Sequence, residues 1–170
     1  IVRAMEITQY ILHQDFPQLK EVVDGNVTFV TSQELEDMYP DMTPQQRENA
    51  IAKKHNTVFI IQIGHKLKSG APHGHRAPDY DDWCLNGDLI VWDEQLGGAL
   101  ELSSMGIRVD EDSLNEQVRL SGCEYRKEFD CHKLLLNGEL PLTVGGGVGQ
   151  SRLCMYLLHK AHIGEVQASV

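Results

Sequence analysis

A glycine-rich segment and a single arginine carry the clearest chemical pattern in this sequence. Residues 145–149 read Gly-Gly-Gly-Val-Gly, and Arg152 follows in the first turn of an apolar, helix-like run. Glycines have no Cβ, so a flat ligand or a neighbouring strand can approach the backbone closely. An arginine beside them supplies a fixed cation whose forked donors suit phosphate oxygens. The alternative is a glycine bulge that ends a strand, with Arg152 merely exposed.

Two acidic residues upstream could hold a divalent metal ion. Asp88 lies at the start of a predicted strand, 88–92, and Glu101 lies on its predicted hairpin partner, 99–103. Two carboxylates on adjacent strands suit Mg²⁺ that is bound together with substrate phosphates. Glu101 has apolar neighbours, so a buried position would require a cation or hydrogen-bond donors beside it. The alternative is that Glu101 faces solvent on a half-exposed hairpin.

Other polar residues near these acids could bind a substrate. Ser103 and Ser104 follow the second acid, and such hydroxyls either bind substrate polar groups or satisfy the backbone. The segment 76–83 (RAPDYDDW) combines three acids with two aromatic residues. It could hold a base ring, an ammonium group or a metal, or it could form only a solvated turn. His73 and His75 lack further metal ligands at a supporting spacing, so we interpret them as loop.

Composition is typical of one globular domain with a substantial core. Of the 170 residues, 41% are hydrophobic and 24% are charged. The 15 basic and 25 acidic residues give a net charge of −10, which argues against extended binding to a nucleic-acid backbone. The four cysteines have neither disulfide nor metal spacing, so we expect free thiols in the cytoplasm. No apolar run has membrane-spanning length. Because the sequence starts with Ile1 rather than Met, we expect it to be part of a longer polypeptide.

The order of predicted elements indicates an α+β domain with mostly antiparallel strands and helices around them. A helix is predicted over residues 1 to about 23, broken near Pro17. Capping patterns at Thr31 and Thr43 each open a further helix. The other predicted elements are strands over 27–30, 57–63, 88–92, 99–103 and 140–144, helices over 112–120 (capped by Asp112), 124–136 and 150–159, and loops over 64–82 and the glycine-rich segment.

These pieces, in this order, resemble the catalytic core of class II aminoacyl-tRNA synthetases, and more closely the aspartate–ammonia ligase family that is built on that fold. The segments that carry the likeness are RAPDYDDW (76–83), LNGDLIVW (85–92), ELSSMGIRVD (101–110) and GGGVGQSR (145–152). The likeness runs from about Val27 to the end of the sequence. It implies that residues 1–170 are the C-terminal part of a single catalytic domain. The first half, with the dimer interface and further substrate-binding residues, is then outside this sequence.

The resemblance implies ATP-dependent amidation of L-aspartate with ammonia to L-asparagine, through a β-aspartyl-AMP intermediate. It assigns the metal and ATP phosphates to Asp88 and Glu101, and it makes Arg152 and Asp81 the catalytic residues. The implied ligand contacts are Asp88, Glu101, Leu102, Ser103, Gly147 and Arg152 for ATP or AMP, and Tyr80, Asp81, Ser104, Gly145 and Gly146 for aspartate. ATP and Mg²⁺ are the implied cofactors. The implied assembly is a cytoplasmic homodimer without nucleic-acid or membrane partners.

Two other functions stay open at the level of the sequence. An aspartyl- or asparaginyl-tRNA synthetase core would share the two acids and Arg152, although the net charge of −10 argues against tRNA binding. A non-catalytic, regulatory paralogue on the same fold would have no need of those residues. The family is also expected to carry a longer segment between Trp83 and Leu85, where this chain has only Cys84.

Overall fold

A five-stranded mixed sheet forms the centre of the protein in the computed structural model, which describes residues 1–167. The strands are β1 Val27–Thr31, β2 Thr57–Ile61, β3 Asp81–Asp93, β4 Gly98–Arg108 and β5 Val144–Val148. They lie side by side in sequence order. β1 and β2 are parallel, and each of the other neighbouring pairs is antiparallel. The predicted α+β class with a mostly antiparallel sheet is therefore confirmed.

Helices flank this sheet, and local capping bonds set where several of them begin. The helices are α1 Val2–Asp15, α2 Ser32–Met38, α3 Pro44–His55, α4 Glu111–Leu120, α5 Asp130–Leu136 and α6 Gln150–Leu157. Thr31 and Thr43 form the predicted capping boxes. The cap of α4 is Asp110 rather than the predicted Asp112, because the Asp110 side chain accepts the Ser113 N–H. No helix in the described part of the chain is long and apolar enough to cross a membrane.

The helices pack on both faces of the sheet. Leu89 and Val91 of β3 belong to an apolar cluster with α1 and α6, whereas Ile90 between them belongs to a cluster with α2 and α3. Successive strand residues point to opposite faces, so two helical layers sandwich the sheet. We call these the α6 face and the α3 face. Burial of apolar side chains on both faces is the main contribution that holds the strands in place.

A β-bulge in β4 changes the direction of its side chains. Leu89 pairs with Ser103, but the next residue of β3, Ile90, pairs with Glu101. Leu102 is the extra residue, and its side chain is buried in the cluster on the α6 face. A bulge of this kind places two residues of one strand opposite one residue of its neighbour.

The bulge brings three polar residues to the same face. Asp88 pairs with Ser104 while Ile90 pairs with Glu101, and cross-strand partners share a face. In a regular strand, Glu101 and Ser104 would point to opposite faces because they are three residues apart. With the extra residue inserted, both lie on the α3 face together with Asp88.

Other predictions of local structure were also wrong. The predicted helix 1–23 is helical only over Val2–Asp15. The predicted strand 140–144 shares only Val144 with β5, which runs on to Val148. The glycines of the segment 145–147 are not a loop but lie within β5, paired with β4. β3 begins at Asp81, so Asp81 lies in the sheet rather than in the predicted loop. The predicted helix 124–136 is a 3₁₀ turn, Glu124–Glu128, followed by α5, because Phe129 between them has an extended backbone. The four cysteines are free thiols, as predicted.

Truncation of a fully buried side chain should test the packing of α2 on the sheet. Leu35 is 0% exposed in the cluster on the α3 face. We expect Leu35→Ala to lower the free energy of unfolding by ~2–5 kcal/mol, because it leaves a cavity. Leu96→Ala, at a position that is 44% exposed, is the control and should change it by no more than ~0.5 kcal/mol. Urea unfolding measures both, and equal losses would contradict the assignment.

Candidate active site

Two adjoining cavities lie over the polar residues of β3, β4 and β5. The first cavity, of about 340 Å³, is lined by His75, Arg76, Ala77, Tyr80, Asp81, Ser104, Arg108, Gly146 and Gly147. The second cavity, of about 450 Å³, is lined by residues 101–104, residues 147–152 and Ile163. Both include Ser104 and Gly147, so they share a border. Together they contain every residue singled out from the sequence except Asp88 and Gly145, which lie immediately beside them on β3 and β5.

Arg108 is a firmly held cation of the first cavity. It forms an ion pair with Asp81, whose side chain is 5% exposed. Its guanidinium also lies over the Tyr80 ring, 3.9 Å from the centroid. A guanidinium fixed in this way can present its remaining N–H donors to a carboxylate. The sequence prediction included Tyr80 and Asp81 but missed Arg108, although a charged strand residue just after Gly106 was a possible signal.

Arg76 is the second cation that the prediction missed. It forms an ion pair with Asp88 and donates a hydrogen bond to Ser104 Oγ at 2.7 Å. The side chains of Arg76 and Asp88 are 17% and 19% exposed, so screening by solvent is limited. Arg76 therefore connects the loop before β3 to the two strands that carry the acids. Its position at the start of the acidic segment 76–83 was the signal in the sequence.

Asp88 and Glu101 form a pair of like charges on the α3 face. They are diagonal neighbours on β3 and β4, a relation that separates residues by ~7–8 Å. Burial raises the pKa of the Glu101 carboxyl above its usual range, and the nearby charge of Asp88 raises it further. The Glu101 side chain is 47% exposed, which matches the half-exposed alternative. Two acids that repel each other in this way favour a shared cation.

A metal ion at this acid pair would need ligands from elsewhere. No group of three or more His, Cys, Asp or Glu residues that could hold a metal occurs within residues 1–167. Mg²⁺ is commonly bound through one or two carboxylates, with substrate phosphates and water completing its shell. Asp88 and Glu101 fit that mode, and they do not fit a metal site built from protein ligands alone.

Arg152 is anchored at the start of α6, next to the bulge. Gly149 is the N-cap of α6, and its N–H donates to the Leu102 carbonyl at 2.8 Å. Arg152 Nη1 donates to the Glu101 carbonyl at 3.0 Å and lies 3.5 Å from Glu101 Oε1. The Arg152 side chain remains 47% exposed at the second cavity. Its cation is therefore accessible to a phosphate group.

The three glycines of β5 have different neighbours. A Cβ on Gly145 would overlap the guanidinium of Arg108, and a Cβ on Gly146 would lie 2.8 Å from Met105 Cβ. A Cβ on Gly147 would meet nothing within 4 Å. Packing inside the sheet therefore requires glycine at position 146, whereas a Cβ at position 145 would displace the Arg108 guanidinium. Gly147 leaves open the floor that the two cavities share.

Ser103 and Ser104 contribute to the site in different ways. Ser103 is 2% exposed, and its hydroxyl donates to the Gly147 carbonyl at 2.8 Å. This bond holds β5 against β4 at the border of the two cavities. Ser104 lies on the α3 face, where it accepts the hydrogen bond from Arg76. Leu102 is buried, so it can reach a ligand only through its backbone.

The family model described as aspartate–ammonia ligase matches residues 1–170. The chain belongs to the aspartate–ammonia ligase family. It is 56% identical over 171 residues to the aspartate–ammonia ligase of Lactobacillus acidophilus, covering 100% of this chain and 51% of that protein. It is 58% identical over 159 residues to that of Bacillus cereus strain AH187, covering 94% and 49%. The chain spans about half the length of the curated relatives it matches.

The solved structures agree with this family assignment at the level of the fold. The asparaginyl-tRNA synthetase of Pyrococcus horikoshii is 15% identical to this chain, with a TM-score of 0.61. The superposition covers 94% of this chain and 40% of the synthetase chain. At this identity the likeness shows the fold alone. The predicted class II aminoacyl-tRNA synthetase-like core is therefore confirmed.

One expectation about this ligase family was wrong for the first of these relatives. The match to the L. acidophilus protein extends over 171 residues and covers all of this chain, which leaves no room for a long extra segment between Trp83 and Leu85. Residues 82–85 form an irregularity in β3, between the pairs Asp81–Arg108 and Asn86–Gly106.

The different surroundings of the β5 glycines predict different responses to a methyl group. Gly146→Ala should lower the free energy of unfolding by ~1–3 kcal/mol, because the new Cβ crowds Met105 in the sheet. Gly147→Ala is the matched variant. We expect its free energy of unfolding to stay within ~0.5 kcal/mol of that of the unaltered protein, since the space there is open. Thermal or urea unfolding of both proteins distinguishes the two roles. A larger loss at Gly147 would contradict the assignment.

Proposed function

We propose that the enzyme containing this chain converts L-aspartate, ammonia and ATP to L-asparagine, AMP and pyrophosphate. The observation that supports this most strongly is the arrangement of charges in the two cavities. Arg108 lies in the first cavity, Arg152 and Glu101 lie in the second, and Asp88 pairs with Ser104 at their shared border. An amino-acid carboxylate and a nucleotide phosphate can then be held side by side. Because the chain belongs to the aspartate–ammonia ligase family, we assign the carboxylate to aspartate and the phosphate to ATP.

The second cavity is the proposed nucleotide site. Arg152 would contact a phosphate of ATP, and the open floor at Gly147 would admit the nucleotide. Leu102 and Ser103 would contribute backbone groups, because their side chains are buried. Asp88 and Glu101 would hold Mg²⁺ together with the phosphates, and the ion would offset negative charge that develops on them.

The first cavity is the proposed aspartate site. Arg108 would bind a carboxylate of aspartate with the donors that its pairing with Asp81 leaves free. Asp81 and Tyr80 would orient the amino group of aspartate or the incoming ammonia. The other residues assigned to aspartate are Ser104, Gly145 and Gly146.

The reaction follows from placing these groups in contact. An oxygen of the aspartate side-chain carboxylate attacks the α-phosphorus, and the bond from this phosphorus to pyrophosphate breaks. The nitrogen lone pair of ammonia then attacks the activated acyl carbon. The carbon–oxygen bond to AMP breaks, AMP leaves with the electron pair, and nitrogen loses a proton to solvent. The protein accelerates both steps by holding the reactants and by stabilising charge on phosphate oxygens.

The wider assignments are part of the same proposal. Residues 1–170 would be the C-terminal part of one catalytic domain, and the enzyme would be a cytoplasmic homodimer. Family membership favours the ligase over a tRNA synthetase, of which the P. horikoshii example is only 15% identical to this chain. The net charge of −10 also disfavours tRNA as a substrate.

Release of AMP from Mg-ATP tests the proposal directly. With aspartate and ammonium both present, and without tRNA, the full-length protein should release AMP, and omission of either substrate should prevent it. Arg152→Ala should reduce this rate by at least ~100-fold, because a cation on the reacting phosphates is lost. The exposed Arg119→Ala is the matched control and should retain the rate. AMP that appears only with aspartate and tRNA would favour a synthetase instead.

Asp81→Asn should impair the proposed aspartate cavity and leave the proposed nucleotide cavity unaffected. The change removes the negative charge beside Arg108 but keeps the shape of the side chain. We expect KM for aspartate or for ammonia to rise by about tenfold or more, because a charged hydrogen-bond partner is lost, while KM for ATP changes little. Steady-state kinetics with each substrate varied in turn measures the effect. A rise confined to KM for ATP would contradict the placement of Asp81 in the aspartate site.

A further inference from the structure

A third cavity, of about 650 Å³, adjoins the aspartate site. We call it the vestibule. The chain segments 64–66 and 74–78, the Trp83 indole and the turn after α4 form its walls. His75, Arg76 and Ala77 line both the vestibule and the first cavity, so these residues form their common border. None of the catalytic assignments above uses the vestibule.

Two buried hydrogen-bond donors at the vestibule have no acceptor. Trp83 is 6% exposed, and its Nε1–H is without a partner among the described residues. The indole is fixed in place, because Gly64 packs directly against its ring and His65 makes an edge-to-face contact with it. Arg76 Nε–H is likewise buried and unpaired, although its two terminal nitrogens are bound to Ser104 and Asp88. Buried donors of this kind favour a ligand that accepts hydrogen bonds.

The charges at the vestibule disfavour a cation. No aspartate or glutamate lines it within the described residues, whereas Lys66, Arg76 and Arg126 do. Asp79 balances Arg126 and Asp88 balances Arg76, which leaves Lys66 as a charge exposed at the wall. Ammonium has only donors and a positive charge, so it would find neither an acceptor carboxylate nor attraction there. Neutral ammonia has a lone pair that can accept from an N–H donor.

In the second reaction step, ammonia needs a route to the acyl carbon, and the position of the vestibule provides one. If the first and second cavities hold aspartyl-AMP, they are filled when ammonia must reach the acyl carbon. The vestibule meets the first cavity at His75, Arg76 and Ala77. The vestibule shares no lining residue with the second cavity, so a nucleophile entering there would reach the proposed aspartate cavity first.

We propose that the vestibule is the path by which neutral ammonia enters, with Trp83 Nε1–H and Arg76 Nε–H as the donors that receive it. This proposal rests on the proposed ligase function. It adds the route of the nitrogen substrate and its protonation state. The same donors could instead hold a small anion, which the kinetic test distinguishes.

Two variants test the path in the full-length protein. Trp83→Phe keeps an aromatic ring but removes the donor, and we expect kcat/KM for ammonia to fall by about fivefold. Ser121→Trp places bulk on an exposed residue that lines only the vestibule, and a fall of about tenfold is expected from obstruction of the path. Aspartate-dependent exchange between pyrophosphate and ATP, which needs no ammonia, should stay within about twofold for both.

The possible outcomes test the proposed ammonia path and the proposed ligase function independently. Asn115→Trp, an exposed substitution on α4 away from the vestibule, is the matched control and should leave both rates unchanged. An unchanged kcat/KM for ammonia in both test variants would overturn the path while the exchange reaction still upheld the ligase. An equal fall in exchange and in ammonia use would also overturn it, because the vestibule would then serve aspartate or ATP. Absence of exchange in the unaltered protein would instead refute the proposed function. Competitive inhibition by inorganic phosphate against ammonia, relieved in Lys66→Ala, would identify an anion site in place of the path.

Discussion

The bulge at Leu102 is the constraint on which the candidate site depends. The extra residue turns Glu101 and Ser104 to the face that carries Asp88. It also leaves two carbonyls, those of Glu101 and Leu102, that Arg152 and Gly149 bind at the start of α6. One local irregularity therefore sets the direction of Glu101 and Ser104 and attaches α6 to the sheet. A regular β4 would separate these groups onto opposite faces.

Ion pairing offsets the free-energy cost of burying the carboxylates of Asp81 and Asp88 beside the first cavity. Asp81 and Asp88 are each paired with an arginine, so neither carboxylate is buried without a counter-charge. The same arginines keep further donors, which gives the site cations of fixed position. Glu101 is the exception, because its side chain is half exposed and its pairing with Arg152 is loose. The acid with the most freedom is thus the one that lines the second cavity.

Much of this architecture could be predicted from the sequence, and the failures have physical causes. Periodicity and capping residues predicted the first four strands and most helices, since those signals are local. The glycines of β5 were mistaken for a loop, because their place in the sheet depends on close contact with Met105 and Arg108. The roles of Arg76 and Arg108 depend on partners 12 and 27 residues away along the chain. The bulge had no signal in the residues themselves, and it emerges only from the register of β3 against β4.

The attachment of Arg152 to the Glu101 carbonyl has a consequence for the entropy of ligand binding. A free arginine loses up to ~2 kcal/mol of rotamer entropy when a ligand immobilises it. Here one terminal nitrogen is already bound to the backbone in the unliganded protein. Part of that entropy is lost during folding rather than during binding. In the proposed site, a nucleotide would meet a side chain that has fewer conformations left to lose, and more of the electrostatic attraction would appear as affinity.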